Sequence, residues 1–150
     1  MPEPPIDVLL IEDDPKDVEM TRYAFEHYRL SNRIHVVRDG AEALDFIFGA
    51  GAYAGRNVED VPRVILLDLK LPKVGGIEVL RRLKSDPRTR AIPVVVMTSS
   101  REERDAVEAY TLGANSYIVK PLDFATFTEA VRQVGLYWLL LNEPSTGQPG

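Results

Sequence analysis

No cysteine occurs anywhere in the chain, which excludes disulfides, thiolate catalysis and zinc–thiolate centres. The only histidines, His27 and His35, fall on the first predicted helix and the second predicted strand and read as packing or surface residues. No apolar run approaches the roughly 20 residues of a membrane-spanning helix. The opening residues Met1-Pro2-Glu3-Pro4-Pro5 hold neither a basic segment nor an apolar stretch, so no signal peptide is visible and a cytoplasmic location is expected. Basic charge is in the minority, 18 Lys and Arg against 23 Asp and Glu. The net charge of −5 argues against an extended nucleic-acid surface. What remains is 150 residues with 45% hydrophobic and 27% charged content, enough for one domain with a sizeable core.

The two ends, residues 1–5 and Glu143–Gly150 (E-P-S-T-G-Q-P-G), are rich in proline or glycine and are predicted to be flexible. Between them the pattern alternates. Ile6–Ile11 reads as a buried strand, followed by a helix over Pro15–Tyr28 with Asp14 as its N-cap and Pro15 at its first position. Ile34–Val37 is a second strand and Ala41–Phe48 a second helix; Val64–Leu67 and Gly76–Ser85 make the third pair. Pro93–Met97 is the fourth strand, and Arg101–Leu112 a helix closed by Gly113. Tyr117–Val119 is the fifth strand, and Phe124 to about Leu141 the last helix, capped by Asp123. Unbroken Val/Ile/Leu runs mark strands buried on both faces. Strand–helix pairs repeated five times therefore predict an α/β domain over residues 6–142, a doubly wound five-stranded parallel sheet of flavodoxin-like form. There is no internal repeat. Gly49–Pro62 reads as a long helix-to-strand loop without evident chemistry.

In such a sheet, ligands bind at the carboxyl ends of the strands. Strand one ends in Glu12-Asp13-Asp14, strand three in Asp68, strand four in Thr98-Ser99-Ser100, and strand five in Lys120-Pro121. Each close pair of carboxylates costs on the order of 4 kcal/mol at an effective dielectric of about 20. A compact rim of them needs a counterion. Oxygen donors without histidine or cysteine select a hard cation, and Mg²⁺ is the usual one where phosphate is handled. An aspartate beside that cation can act as a nucleophile and form an acyl phosphate. The cation and Lys120 would then neutralise the transferring phosphoryl group, with the Thr98 hydroxyl as a further donor.

Four stretches carry a resemblance: L-L-I-E-D-D-P (Leu9–Pro15), I-L-L-D-L-K-L-P (Ile65–Pro72) with Gly75-Gly76, V-V-M-T-S (Val95–Ser99) and L-G-A-N-S-Y-I-V-K-P (Leu112–Pro121). Each is weak alone. In this order, each at a strand end, they resemble the response regulator receiver family of two-component systems from about Ile6 to Asn142. The resemblance implies a phosphorelay protein that takes a phosphoryl group from a histidine kinase onto Asp68. It implies Mg²⁺ held by Glu12, Asp13 and Asp68 with the backbone carbonyl of Lys70, Asp13 being the better placed of the acidic pair. Thr98 and Lys120 would be the switch hydroxyl and the lysine of the family, Tyr117 its switch aromatic, and Lys120-Pro121 a cis peptide. Phosphorylation would draw Thr98 in and let Tyr117 turn inward, altering a protein-contact surface. Catalysis would be limited to self-catalysed phosphotransfer and autodephosphorylation. Ala43–Tyr53 (A-L-D-F-I-F-G-A-G-A-Y) and Leu136–Pro144 (L-Y-W-L-L-L-N-E-P) are similar to small regulators paired with phytochrome-type histidine kinases. No output domain is read after the last helix, so a stand-alone regulator without DNA or membrane contact is expected.

Simpler readings compete at each position. A lone Asp after a strand is ordinarily a turn or cap residue, and Lys120 alone would be a surface lysine. Arg81, Arg82, Lys84, Arg88 and Arg90 read as a solvated basic face. A flavodoxin-like cofactor binder would need a Gly/Ser/Thr-rich loop where Glu12-Asp13-Asp14 stands. An aspartate-nucleophile phosphohydrolase would need a second Asp two residues past the first, where Lys70 stands, and a degenerate docking-only receiver would not need the intact set. Leu136–Leu141 places six large apolar residues in succession, covering every face of a helix; this predicts a homodimer through the C-terminal helix.

Overall fold

The computed structural model describes residues 8–27 and 33–120, together with Ala125, Glu129 and Arg132, which are helical. Five strands form one parallel sheet: β1 (Val8–Ile11), β2 (Ile34–Val37), β3 (Val64–Leu67), β4 (Val94–Thr98) and β5 (Ser116–Val119), in the spatial order β2-β1-β3-β4-β5. The connecting helices are α1 (Pro15–His27), α2 (Gly40–Phe48), α3 (Gly76–Ser85) and α4 (Glu103–Leu112). These bounds follow the sequence pattern closely. β4 begins one residue later than expected and runs through Thr98, because Pro93 has no N–H to give the ladder. β5 starts at Ser116, α2 takes in Gly40, and α4 begins only at Glu103. Ile6, Tyr28, the Lys120–Pro121 peptide, the two tails and the Leu136–Leu141 segment lie outside the described residues.

Alternation along each strand divides the core. Leu9, Ile11, Ile65, Leu67, Val94 and Val96 face a cluster with Phe46, Val79, Leu80 and Leu83 from α2 and α3. Val8, Leu10, Val64, Leu66, Val95 and Met97 face the other, with Val18, Ala24 and Phe25 from α1. The central strands β1, β3 and β4 read as unbroken apolar runs because both of their faces are buried. Asp14 caps α1, accepting the Lys16 N–H at 2.8 Å, and Gly113 closes α4 in a left-handed conformation at φ 113°.

The segment 49–62 is less featureless than its composition suggests. It opens with a 3₁₀ turn, Gly51–Tyr53. The Arg56 guanidinium lies 4.0 Å over the Phe46 ring and donates to the carbonyls of Phe46 and Asp60. His35 stacks on Phe46, and the Tyr53 hydroxyl donates to Glu42 at 2.8 Å, so His35 serves packing as expected. Among the described residues, no helix is long and apolar enough to cross a membrane.

Helix α2 approaches the chain between β3 and α3 so closely that only glycine fits at its start. A Cβ on Gly40 would lie 1.8 Å from the Val74 carbonyl oxygen. Alanine would gain about 1 kcal/mol in helix propensity, but the backbone would have to move by well over an ångström. Gly40→Ala is therefore expected to destabilise the protein by about 1–3 kcal/mol, as for other overpacked sites. Urea unfolding measures this, and an unshifted midpoint would contradict the packing argument.

Candidate functional site

The sheet register assembles the site. Ile11 pairs with Leu67, so the next residues, Glu12 and Asp68, emerge side by side at the centre of the sheet. The Asp68 N–H continues the ladder onto the Ile11 carbonyl at 3.1 Å. Thr98 pairs with Val119, which brings Lys120 in from the next strand, its N–H on the Thr98 carbonyl at 2.8 Å. Glu12, Asp68 and Thr98 are all buried, while Asp13 is exposed at the mouth. A cradle of close backbone contacts holds Asp68 from behind, since a Cβ on Gly76 would lie 2.3 Å from the Asp68 carbonyl oxygen.

Glu12, Asp13 and Asp68 each present a carboxylate oxygen, and these oxygens lie within 4.8 Å of one another. No softer donor stands among them, so the set suits a hard divalent cation. The exposed Lys70 donates its backbone N–H to Asp68 Oδ1 at 3.1 Å. The Lys120 ammonium donates to Glu12 Oε1 at 2.6 Å and Asp68 Oδ2 at 3.1 Å. Its third bond, to Asp17 Oδ2 at 2.6 Å, was not anticipated. Asp17 stands in the first turn of α1, where an acid is ordinarily explained by the helix dipole. The available signal was its position, three residues after the Asp14 cap, on the turn that leaves the Glu12 strand end.

Burial pushes the Glu12 carboxyl up to about 7, and the neighbouring Asp68 charge adds to this; the Lys120 ammonium opposes it. Burial alone would lower Lys120, but its bonds to Asp17 and Glu12 and the charges of Glu12 and Asp68 prevail and raise it. The two shifts pull differently on one ion pair. Glu12, Asp17 and Asp68 together hold Lys120 in its charged form.

From this rim a path leads outward. The Thr98 hydroxyl accepts the Ser100 N–H at 3.3 Å, and the Ser100 hydroxyl donates to Asp105 of α4 at 2.5 Å. The Tyr117 hydroxyl donates to the Ser100 carbonyl at 3.1 Å, and its N–H donates to the Tyr110 hydroxyl at 3.1 Å. Tyr117 is thus already turned towards the β4–α4 loop, because that carbonyl satisfies its half-buried hydroxyl.

The family model for the response regulator receiver domain matches residues 8–132. Among curated proteins, the chain is 42% identical over 137 residues to the probable methanogenesis regulatory protein FilR2 of Methanothrix harundinacea, covering 91% of this chain and 86% of that one. It is 34% identical to the response regulator Rcp1 of Synechocystis sp., covering 91% and 90%; a structure of Rcp1 in a Mn²⁺-bound form superposes with a TM-score of 0.82. The phosphorylated cyanobacterial phytochrome response regulator RcpA superposes with a TM-score of 0.83 at 35% identity, over 91% of this chain and 95% of that one. The bacteriophytochrome response regulator RtBRR gives a TM-score of 0.75 at 50% identity, over 94% and 84%.

The Glu12 shift has a signed consequence for stability. A carboxyl raised from 4.5 to about 7 binds its proton more firmly folded than unfolded. Its contribution is complete below pH 4.5 and is lost as pH rises towards 7. Without divalent cations, the unfolding free energy should fall across that window, and Glu12→Gln should flatten the fall. Urea unfolding from pH 4.5 to 8 in chelator tests this; identical slopes in the two proteins would contradict it.

Proposed function

The chain belongs to the response regulator receiver family, a family of phosphorelay signalling modules rather than classical enzymes, and from that premise we propose that Asp68 is its phosphoacceptor. The observation that carries this is the single rim on which Glu12, Asp13, Asp68 and Lys120 converge. A carboxylate oxygen of Asp68 attacks phosphorus, the bond from phosphorus to the donor imidazole nitrogen breaks, and an acyl phosphate forms. Lys120 offsets charge on the phosphoryl oxygens. Thr98 exchanges its bond to the Ser100 N–H for one in which its hydroxyl donates to a phosphoryl oxygen, which biases Ser100, Tyr117 and α4 together. Hydrolysis of the same acyl phosphate by water, self-catalysed in this site, returns Asp68.

Glu12, Asp13 and Asp68 would hold Mg²⁺, with the Lys70 carbonyl as a further oxygen; the all-oxygen donor set and the Mn²⁺-bound relative support this assignment. When bound, the cation offsets the carboxylate charge and that of the incoming phosphoryl group. Lys70, where a phosphohydrolase would need its second acid, disfavours that reading.

The receiver unit is taken as residues 6–142, acting through protein contacts in the cytoplasm. Its partner is a histidine kinase of bacteriophytochrome type. The support is the 50% identity to RtBRR, since FilR2 bears a different name and fewer shared residues. The six successive large apolar residues Leu136–Leu141 support a homodimer through the predicted C-terminal helix. Sedimentation at tens of micromolar should show a dimer that is lost in a chain ending at Val134; a wild-type monomer would overturn it.

Acetyl phosphate with Mg²⁺ should give a labile adduct on the wild type and none on Asp68→Asn, with the Asp68→Asn fold intact by circular dichroism. Uptake by Asp68→Asn at the wild-type rate would show that the acceptor lies elsewhere.

A further inference from the structure

An ammonium group has three protons, and in this structure each of those on Lys120 has a carboxylate: Glu12 and Asp17 at 2.6 Å and Asp68 at 3.1 Å. Glu12 and Asp68 also belong to the carboxylate cluster that suits a cation; Asp17 does not. Asp17 reaches in from a different element, the first turn of α1. Its own backbone is fixed there, its carbonyl accepting the Thr21 hydroxyl at 2.8 Å while Val18 beside it is buried in the core. A helix-dipole role would not require a 2.6 Å bond to a lysine 103 positions away in the chain. Capping does not require it either, because Asp14 already serves that purpose.

We propose that Asp17 is a positioning residue of the phosphoryl-transfer site: it draws the Lys120 ammonium towards α1, so that Glu12 and Asp68 keep enough negative charge to take a divalent cation. The inference rests on the reading of Asp68 and its acidic neighbours given above. The carboxylates compete for one ammonium. With Asp17 removed, Lys120 divides its bonds between Glu12 and Asp68 alone, and a cation must displace it from both. With Asp17 present, Lys120 keeps one partner outside the cluster when the cation enters. It keeps the same partner when a phosphoryl oxygen on Asp68 takes over one of its protons.

Mg²⁺ titration of the full chain, followed by amide shifts around Asp68, compares wild type, Asp17→Asn, Asp17→Glu and Glu19→Gln. Glu19→Gln removes a charge from an exposed position of the same helix. Asp17→Asn should weaken Mg²⁺ binding about fivefold or more, the lower end of coupling between linked sites, whereas the other two should stay within about twofold of wild type. An Asp17→Asn affinity equal to that of Glu19→Gln would overturn the inference. A second measurement needs no variant: the ¹⁵N ammonium resonance of wild-type Lys120 should stay protected from exchange at saturating Mg²⁺, since Asp17 still holds it. Loss of that protection would overturn the inference as well. A wild type that neither binds Mg²⁺ nor takes up phosphate on Asp68 would instead remove the reading beneath it.

Discussion

The ammonium of Lys120, held among Glu12, Asp17 and Asp68, is the interaction on which the rest of the structure depends. Two buried carboxylates side by side would repel at a cost of several kcal/mol in a medium of intermediate dielectric. The lysine makes their burial tolerable, and it joins the end of β5 to the ends of β1 and β3 and to the start of α1. It does so without quenching the site. One lysine cannot neutralise three carboxylates, and Asp13 adds a fourth at the mouth. The remaining negative charge is what suits the cluster to a cation.

The fold serves this arrangement by leaving little slack. A parallel sheet brings the carboxyl ends of all its strands to one rim; pairing Ile11 with Leu67 sets Glu12 level with Asp68, and Thr98 and Lys120 follow one and two residues further along their strands. At those ends Glu12, Asp68 and Thr98 are buried, while Asp13 stays exposed. Two glycines permit approaches that no other residue would: Gly40 against the chain before α3, and Gly76 against the backbone of Asp68 itself. The second contact means that the position of Asp68 is set by backbone packing as well as by its side-chain bonds.

A rim of this kind signals only if a change at Asp68 is felt elsewhere. Ser100 stands between Thr98 and α4. Its N–H is bonded to Thr98, its carbonyl to Tyr117 and its hydroxyl to Asp105 on α4. If the Thr98 hydroxyl turns to a phosphoryl group, one of these bonds is traded and the others must readjust. Interiors this closely packed respond by moving between discrete arrangements rather than by deforming smoothly.

Much of this was legible in the sequence because it is local. A run such as V-I-L-L, an Asp-Pro at a helix start and a Gly after its end report on their own neighbourhoods, and they located the five described strands and four helices to within two residues at the ends compared. Glu12, Asp13, Asp68, Thr98 and Lys120 could be read together because parallel topology sends all strand ends to one place. The pairing of Asp17 with Lys120, the docking of Tyr117 on the Ser100 carbonyl and the stacking of Arg56 on Phe46 were decided by tertiary structure. Such contacts depend on how far a helix rotates over the sheet and how deep a loop folds back. Those quantities come from packing summed over the whole core, and no short stretch of sequence carries them.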